Sequence, residues 1–115
     1  MSLKAPAANV SEKVRIVLTE LRRRLQDIYA DRLVKLVLYG SQARGDARPW
    51  SDIDVMVVLK GPVDPSRERS RTEAILGDLS LQHDVVILSV YVDEERFTRD
   101  ASALLSNIRR EGIAV

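Results

Sequence analysis

Apolar residues fall at two kinds of spacing along this chain. Val10, Val14, Val17, Leu18, Leu21, Leu25 and Ile28 recur at three and four, which predicts an amphipathic helix running to about Asp31. Asn9, with Glu12 three residues on, resembles a capping box at its start. Leu33 to Tyr39 reads as a first strand, Asp52 to Leu59 as a second and Asp84 to Val92 as a third. The last two are nearly continuous apolar runs, the pattern of strands covered on both faces. Gly61-Pro62 breaks the chain after the second strand, and Asp64-Pro65 reads as an N-cap with proline at the first helical position, opening a helix to about Leu79. Asp93-Glu94-Glu95 opens a final helical region with Ala101, Leu104, Leu105 and Ile108 as its apolar stripe, closed by Arg109-Arg110 and Gly112. A short helix after Ser41 completes the order α-β-(short α)-β-α-β-α. This predicts an α/β chain with Met1 to Ala8 as a loose tail and residues 9–115 as a single domain. Spacing alone suggests that the second and third strands are a parallel pair joined by a right-handed crossover.

The polar residues that interrupt this pattern carry the chemistry. Gly40-Ser41 sits where the first strand gives way to the short helix, and backbone N–H groups at a helix start are free to meet an anion. Ten residues later comes Asp52-Ile53-Asp54-Val55, and the period of two in a strand sends both carboxylates to one side. Two close negative charges repel and raise each other's pKa, so a pair facing a phosphate site needs a cation. Asp84 heads the third predicted strand as Asp52 and Asp54 head the second; if those strands are neighbours, three carboxylates converge at one end of the sheet. Oxygen-only ligands suit Mg²⁺ or Mn²⁺, and two such ions about 4 Å apart can activate an attacking oxygen and stabilise a leaving one at phosphorus. The chemistry implied is nucleotidyl transfer.

Gly40-Ser41-x10-Asp52-x-Asp54, filled as Gly-Ser-Gln-Ala-Arg-Gly-Asp-Ala-Arg-Pro-Trp-Ser-Asp-Ile-Asp-Val, resembles the minimal nucleotidyltransferases of the DNA polymerase β superfamily. The likeness extends from about Val10 to the Asn107–Gly112 segment. It implies a polymerase-β-like α+β fold, a small mixed β-sheet flanked by helices. It implies that Gly40 and Ser41 contact a nucleoside triphosphate, that Asp52 and Asp54 hold two Mg²⁺ or Mn²⁺ ions, and that Asp84 is the third acid, as ligand or as base. Arg44 and Arg48, in the same loop, are placed to meet phosphate oxygens, although exposed loop arginines are common. The resemblance further implies transfer of AMP from ATP to a hydroxyl, a tyrosine in the family, of a HEPN-type helical toxin, with this chain as its antitoxin. A non-catalytic antitoxin acting by occlusion is the alternative. Transfer to a small molecule of the aminoglycoside type is disfavoured, because no further helical region is present to build its acceptor pocket.

Composition narrows these readings. Lys plus Arg number 18 against 17 for Asp plus Glu, so the charge of +1 gives no general case for nucleic acid as a partner. Arg22-Arg23-Arg24 and the series Arg67, Arg69, Arg71 are interleaved with Glu20, Asp27, Glu68 and Glu73, which predicts solvated helix faces. Cysteine is absent, which excludes disulfides and thiolate metal sites. No apolar stretch approaches the roughly 20 residues of a membrane span and no signal-type segment stands at the N-terminus, so a cytoplasmic protein is expected. His83, next to Asp84, is expected on the opposite face of the third strand as a surface or packing residue. Trp50 is expected either to pack the loop or to stack on a base or partner.

Overall fold

The computed structural model of the chain describes residues 10–115. The expected tail and the Asn9 half of the expected capping box lie outside them. The cap of the first helix, α1 (Glu12–Tyr29), is Ser11, whose Oγ accepts from the Val14 N–H at 3.2 Å. A single 3₁₀ turn, Ala30–Arg32, leads into β1 (Leu33–Tyr39), followed by the short α2 (Ser41–Arg44) and β2 (Ile53–Leu59). Asp64 caps α3 (Pro65–His83) by accepting from the Ser66 N–H, as its Asp-Pro start predicts. Then come β3 (Ile87–Asp93), α4 (Glu94–Arg99), α5 (Ala103–Glu111) and the two-residue β4 (Ile113–Ala114).

The sheet order is β3-β2-β1-β4. β1 pairs antiparallel with β2 and β4, while β2 and β3 are parallel, the pairing that the strand-helix-strand spacing suggests. The sheet is therefore mixed, with helices on both faces. On one face Leu36, Leu38, Val55, Val57 and Tyr91 pack with Leu21 and Leu25 of α1 and Ile75 and Leu79 of α3. On the other, Val37, Met56, Val58 and Val92 meet Phe97 of α4 and Leu105 and Ile108 of α5. Each fully buried Leu or Ile contributes about 1.5–3 kcal/mol, so double coverage is the main source of stability. The second cover is only partial. Alternation along the strands puts Tyr39, Asp54 and Leu88 on the same face as Val37, Met56 and Val92, at the end that α4 and α5 leave open.

Several expectations are corrected. Helix α3 does not stop near Leu79 but continues through Ser80, Leu81 and Gln82 to His83, so His83 ends a helix rather than standing in a strand. Asp84 is the C-cap of that helix, in the left-handed region at φ 53°, and β3 begins three residues later. The final helical region is two helices. Asp100 separates them, accepting from the Arg96 Nε at 3.0 Å and the Ser102 N–H at 2.7 Å while Ser102 caps α5, contacts that hold its carboxyl down at about 2.

Glu68 is not a solvated acid. Its residue is 2% exposed, with Tyr29 donating to Oε1 at 2.8 Å, Arg32 to Oε2 at 3.1 Å and Arg71 to Oε1 at 3.3 Å. Burial works to raise its pKa, but those hydrogen bonds and the charges of Arg32 and Arg71 outweigh it and hold the carboxyl below its ordinary value. The network ties the end of α1 to α3, and fixes the layer behind the sheet.

Candidate active site

Gly40 turns the chain from β1 into α2 at φ 73°, a conformation in which a Cβ is disfavoured. A second constraint acts on it. Tyr39 lies opposite Asp54 in the β1–β2 register, so the turn crosses directly over that acid, and an ideal Cβ on Gly40 would stand 2.5 Å from the Asp54 Oδ2. Only glycine lets the backbone come this close. Ser41 opens α2, in which the Ala43 and Arg44 N–H groups donate to the Gly40 carbonyl at 3.1 Å while those of Ser41 and Gln42 precede the first turn's acceptors. Gly40, Ser41 and Asp54 are thus brought together, as the motif predicts.

Asp54 is half-buried. Burial raises its pKa, the neighbouring Asp52 raises it further, and Arg44 opposes both. Tyr39 is pushed up by burial and then by Asp54. Asp52 is exposed and stands one residue before β2 begins rather than heading it, near enough for its charge to act on the Asp54 carboxyl. The residues present fit a divalent cation: two carboxylates repel one another, one in partial burial, beneath a turn shaped to admit a ligand against the backbone.

The loop from Gly45 to Asp52 is fastened by Gln42 and Ser51. Gln42, 7% exposed, donates from Nε2 to the Ser51 carbonyl at 3.1 Å. Ser51 Oγ accepts from the Arg48 N–H at 2.8 Å, and the Ser51 N–H donates to the Arg48 carbonyl at 2.9 Å. Ser51 therefore closes a turn immediately before Asp52; an Arg-Pro-Trp-Ser turn is the signal that could have found it. Arg44 is exposed, its Nε donating to Asp46 Oδ2 at 3.3 Å, and Arg48 stands over the Trp50 ring at 5.9 Å.

Asp84 does not join the pair. No three His, Cys, Asp or Glu side chains among the described residues stand close enough to hold a metal ion together. The neighbouring strand instead sets Leu88 opposite Asp54, and the Ile53 N–H donates to the carbonyl of Val86 at 2.9 Å. Val86 and Leu88 are exposed apolar residues flanking the pair on that side. Asp84 lines a separate cleft of about 370 Å³ with Lys13, Pro49, Trp50, Ser51, Val85 and Val86. Lys13 Nζ donates to the Asp84 carbonyl at 3.5 Å.

A half-buried acid beside a second one, under a Gly-Ser turn at the open end of a mixed sheet, defines a phosphate-handling enzyme. This chain belongs to the nucleotidyltransferase domain family, which it matches over residues 17–113, and it is a nucleotidyltransferase. Two relatives in Methanocaldococcus jannaschii are each named "putative protein adenylyltransferase". One is 31% identical over 71 residues, 62% of this chain and 71% of the relative; the other is 34% identical over 89 residues, 76% of this chain and 83% of the relative. Among solved structures, a protein of Sulfolobus solfataricus described as a "putative nucleotidyltransferase" shares the fold at a TM-score of 0.61 and 16% identity, over 98% of this chain and 90% of that one. Among the described residues no helix is long and apolar enough to cross a membrane.

Proposed function

We propose that this enzyme transfers AMP from ATP to a protein hydroxyl, with Asp52 and Asp54 holding Mg²⁺ or Mn²⁺ and Gly40-Ser41 seating the phosphates. The observation that carries the reading is the Asp54 carboxyl, raised by burial and by Asp52 while pressed against the Gly40 backbone. Enzymes of this family act on nucleoside triphosphates, and a divalent cation supplies neutralisation of the pair and of phosphate charge. The chain's own residues bind and orient. Ser41 and the start of α2 hold the phosphates, Arg44 lies within reach of their charge, and Asp52 and Asp54, which repel phosphate themselves, would hold the cation that draws the α-phosphate to the open sheet end. The acceptor oxygen forms the new bond to the α-phosphorus as the bond to the bridging oxygen breaks. Pyrophosphate leaves, and the acceptor's proton passes to solvent.

The named relatives support a protein as acceptor, and the resemblance to minimal nucleotidyltransferases supports a helical HEPN-type toxin, modified on a tyrosine and thereby neutralised. The test is incubation with labelled ATP, Mg²⁺ and the product of the adjacent gene, followed by intact mass measurement. An increment of one or more AMP units on the partner is expected. A partner of unchanged mass, with ATP unconsumed, overturns the reading.

A further inference from the structure

The cleft between the start of α1, the loop after α2 and the start of β3 is not used by the acids, yet it opens beside them. Ser51 and Val86 both line it, and both lie next to the β2–β3 junction that carries Asp52. Trp50 is the chain's only tryptophan and is 75% exposed, although it stands two residues from a reactive acid. A tryptophan that served to pack the loop would be covered. Arg48 occupies one face of its ring, the loop is closed by Ser51, and Val86, 53% exposed, lines the same cleft. A volume of about 370 Å³ lies within the range of small-molecule sites, roughly 300–1,000 Å³.

We infer that this cleft is the base subsite of the nucleotide, in which a purine stacks on Trp50 against Val86 and presents its exocyclic amino group to the Asp84 carboxylate. The inference rests on the nucleotidyl-transfer reading above. Trp50 lies two residues from Asp52, so their backbones are at most about 7 Å apart, within the span from an α-phosphate to its base. Stacking on an aromatic face is open to every base, so Trp50 supplies affinity without choice. Choice comes from the rim. An ionised carboxylate only accepts hydrogen bonds, so Asp84 favours a base with an amino donor and disfavours one with a carbonyl at the same position. The left-handed cap at Asp84 takes the residue out of the strand and leaves its side chain exposed at this rim, away from the acid pair.

The single tryptophan gives a direct readout. The full chain with Mg²⁺ is titrated with ATP, with ITP and with inorganic tripolyphosphate, which has no base, following tryptophan emission and, in parallel, heat. ATP should quench Trp50, while tripolyphosphate should bind without quenching. Trp50→Ala should weaken ATP about tenfold and leave tripolyphosphate unchanged, with Trp50→Phe retaining most of the affinity. Asp84→Asn should lose the preference for ATP over ITP. Binding of ATP without quenching, at an affinity indifferent to Trp50→Ala, overturns the base subsite and leaves nucleotidyl transfer standing. Failure of the wild-type chain to bind either ATP or tripolyphosphate overturns both.

Discussion

Gly40 and Asp54 occupy one another's space: a methyl group on the first would stand 2.5 Å from the carboxylate oxygen of the second. On the proposed function, this close approach of turn to acid lets phosphates and the acid's cation be engaged at once. Gly40→Ala should therefore lower transfer by at least about a hundredfold and destabilise the fold by about 1–2 kcal/mol, from the left-handed φ and the collision together. Gly77, exposed within α3 with nothing within 4 Å of its would-be Cβ, is the control. Gly77→Ala should stabilise by about 0.5–1 kcal/mol and leave activity unchanged. Thermal unfolding and initial rates on both variants check the pair of outcomes.

Asp52→Asn and Asp54→Asn should each abolish transfer while leaving the metal-free fold as stable as the wild type or slightly more so. The pH dependence follows from the raised Asp54 pKa. A carboxyl whose folded pKa exceeds its unfolded value binds its proton more tightly when folded, so stability falls as pH rises from about 3.8 through the folded pKa. Without cation, Asp54→Asn should equal the wild type near pH 3 and gain on it as pH rises through that window. Added Mg²⁺ should raise the melting temperature of the wild type and not of the variant. Unchanged transfer by both variants would sink the carboxylate pair.

Glu68 behaves in the opposite sense. Its lowered carboxyl contributes stability that is present above its unfolded value of 4.5 and lost as pH falls through the folded pKa. Removing it strands the Tyr29 hydroxyl and takes from Arg32 its buried carboxylate partner, leaving its bonds to the Lys60 and Pro62 carbonyls, and Glu68→Ala should cost about 3 kcal/mol in denaturant unfolding. Tyr29, raised by burial and by Glu68, keeps its proton when folded, so stability should decline as pH climbs above 10.0. Tyr29→Phe should remove that alkaline slope at a cost of about 1 kcal/mol near neutrality.

Neutralisation of a partner by catalysis should need only a substoichiometric amount of this chain with ATP and Mg²⁺, and the partner should stay silent after separation. Occlusion instead requires about one chain per partner, needs no nucleotide and leaves the partner active once freed. Full neutralisation by Asp52→Asn at equal dose without ATP would favour occlusion.

The carboxylate pair was legible in the sequence because its geometry is local: a glycine turn and a strand of period two place Gly40, Ser41, Asp52 and Asp54 without reference to anything distant. Asp84 was not. Ser80-Leu81-Gln82-His83 carries α3 one turn further than the apolar stripe requires, and Asp is one of the few residues that tolerate the left-handed cap, so the run from Asp84 to Leu88 imitates a strand it only partly joins. Glu68 was equally hidden. Among Arg67, Arg69 and Arg71 it looks like one more surface charge, and what buries it is Tyr29 and Arg32, brought in by folding from more than 35 residues away. The edge strand β4, two residues long, is too short to leave a periodic signal.

Strand β2 is bonded along both edges, to β1 and to β3, so Asp54 is carried on the least deformable part of the sheet. The cleft beside it is walled by residues of the 45–51 loop and of helix ends, which lie outside the strands themselves. On the inferred base subsite, substitutions in the 45–51 loop and at the α3 cap would change which base is accepted without displacing Asp54. A scaffold divided in this way can diversify its substrates while its chemistry stays the same.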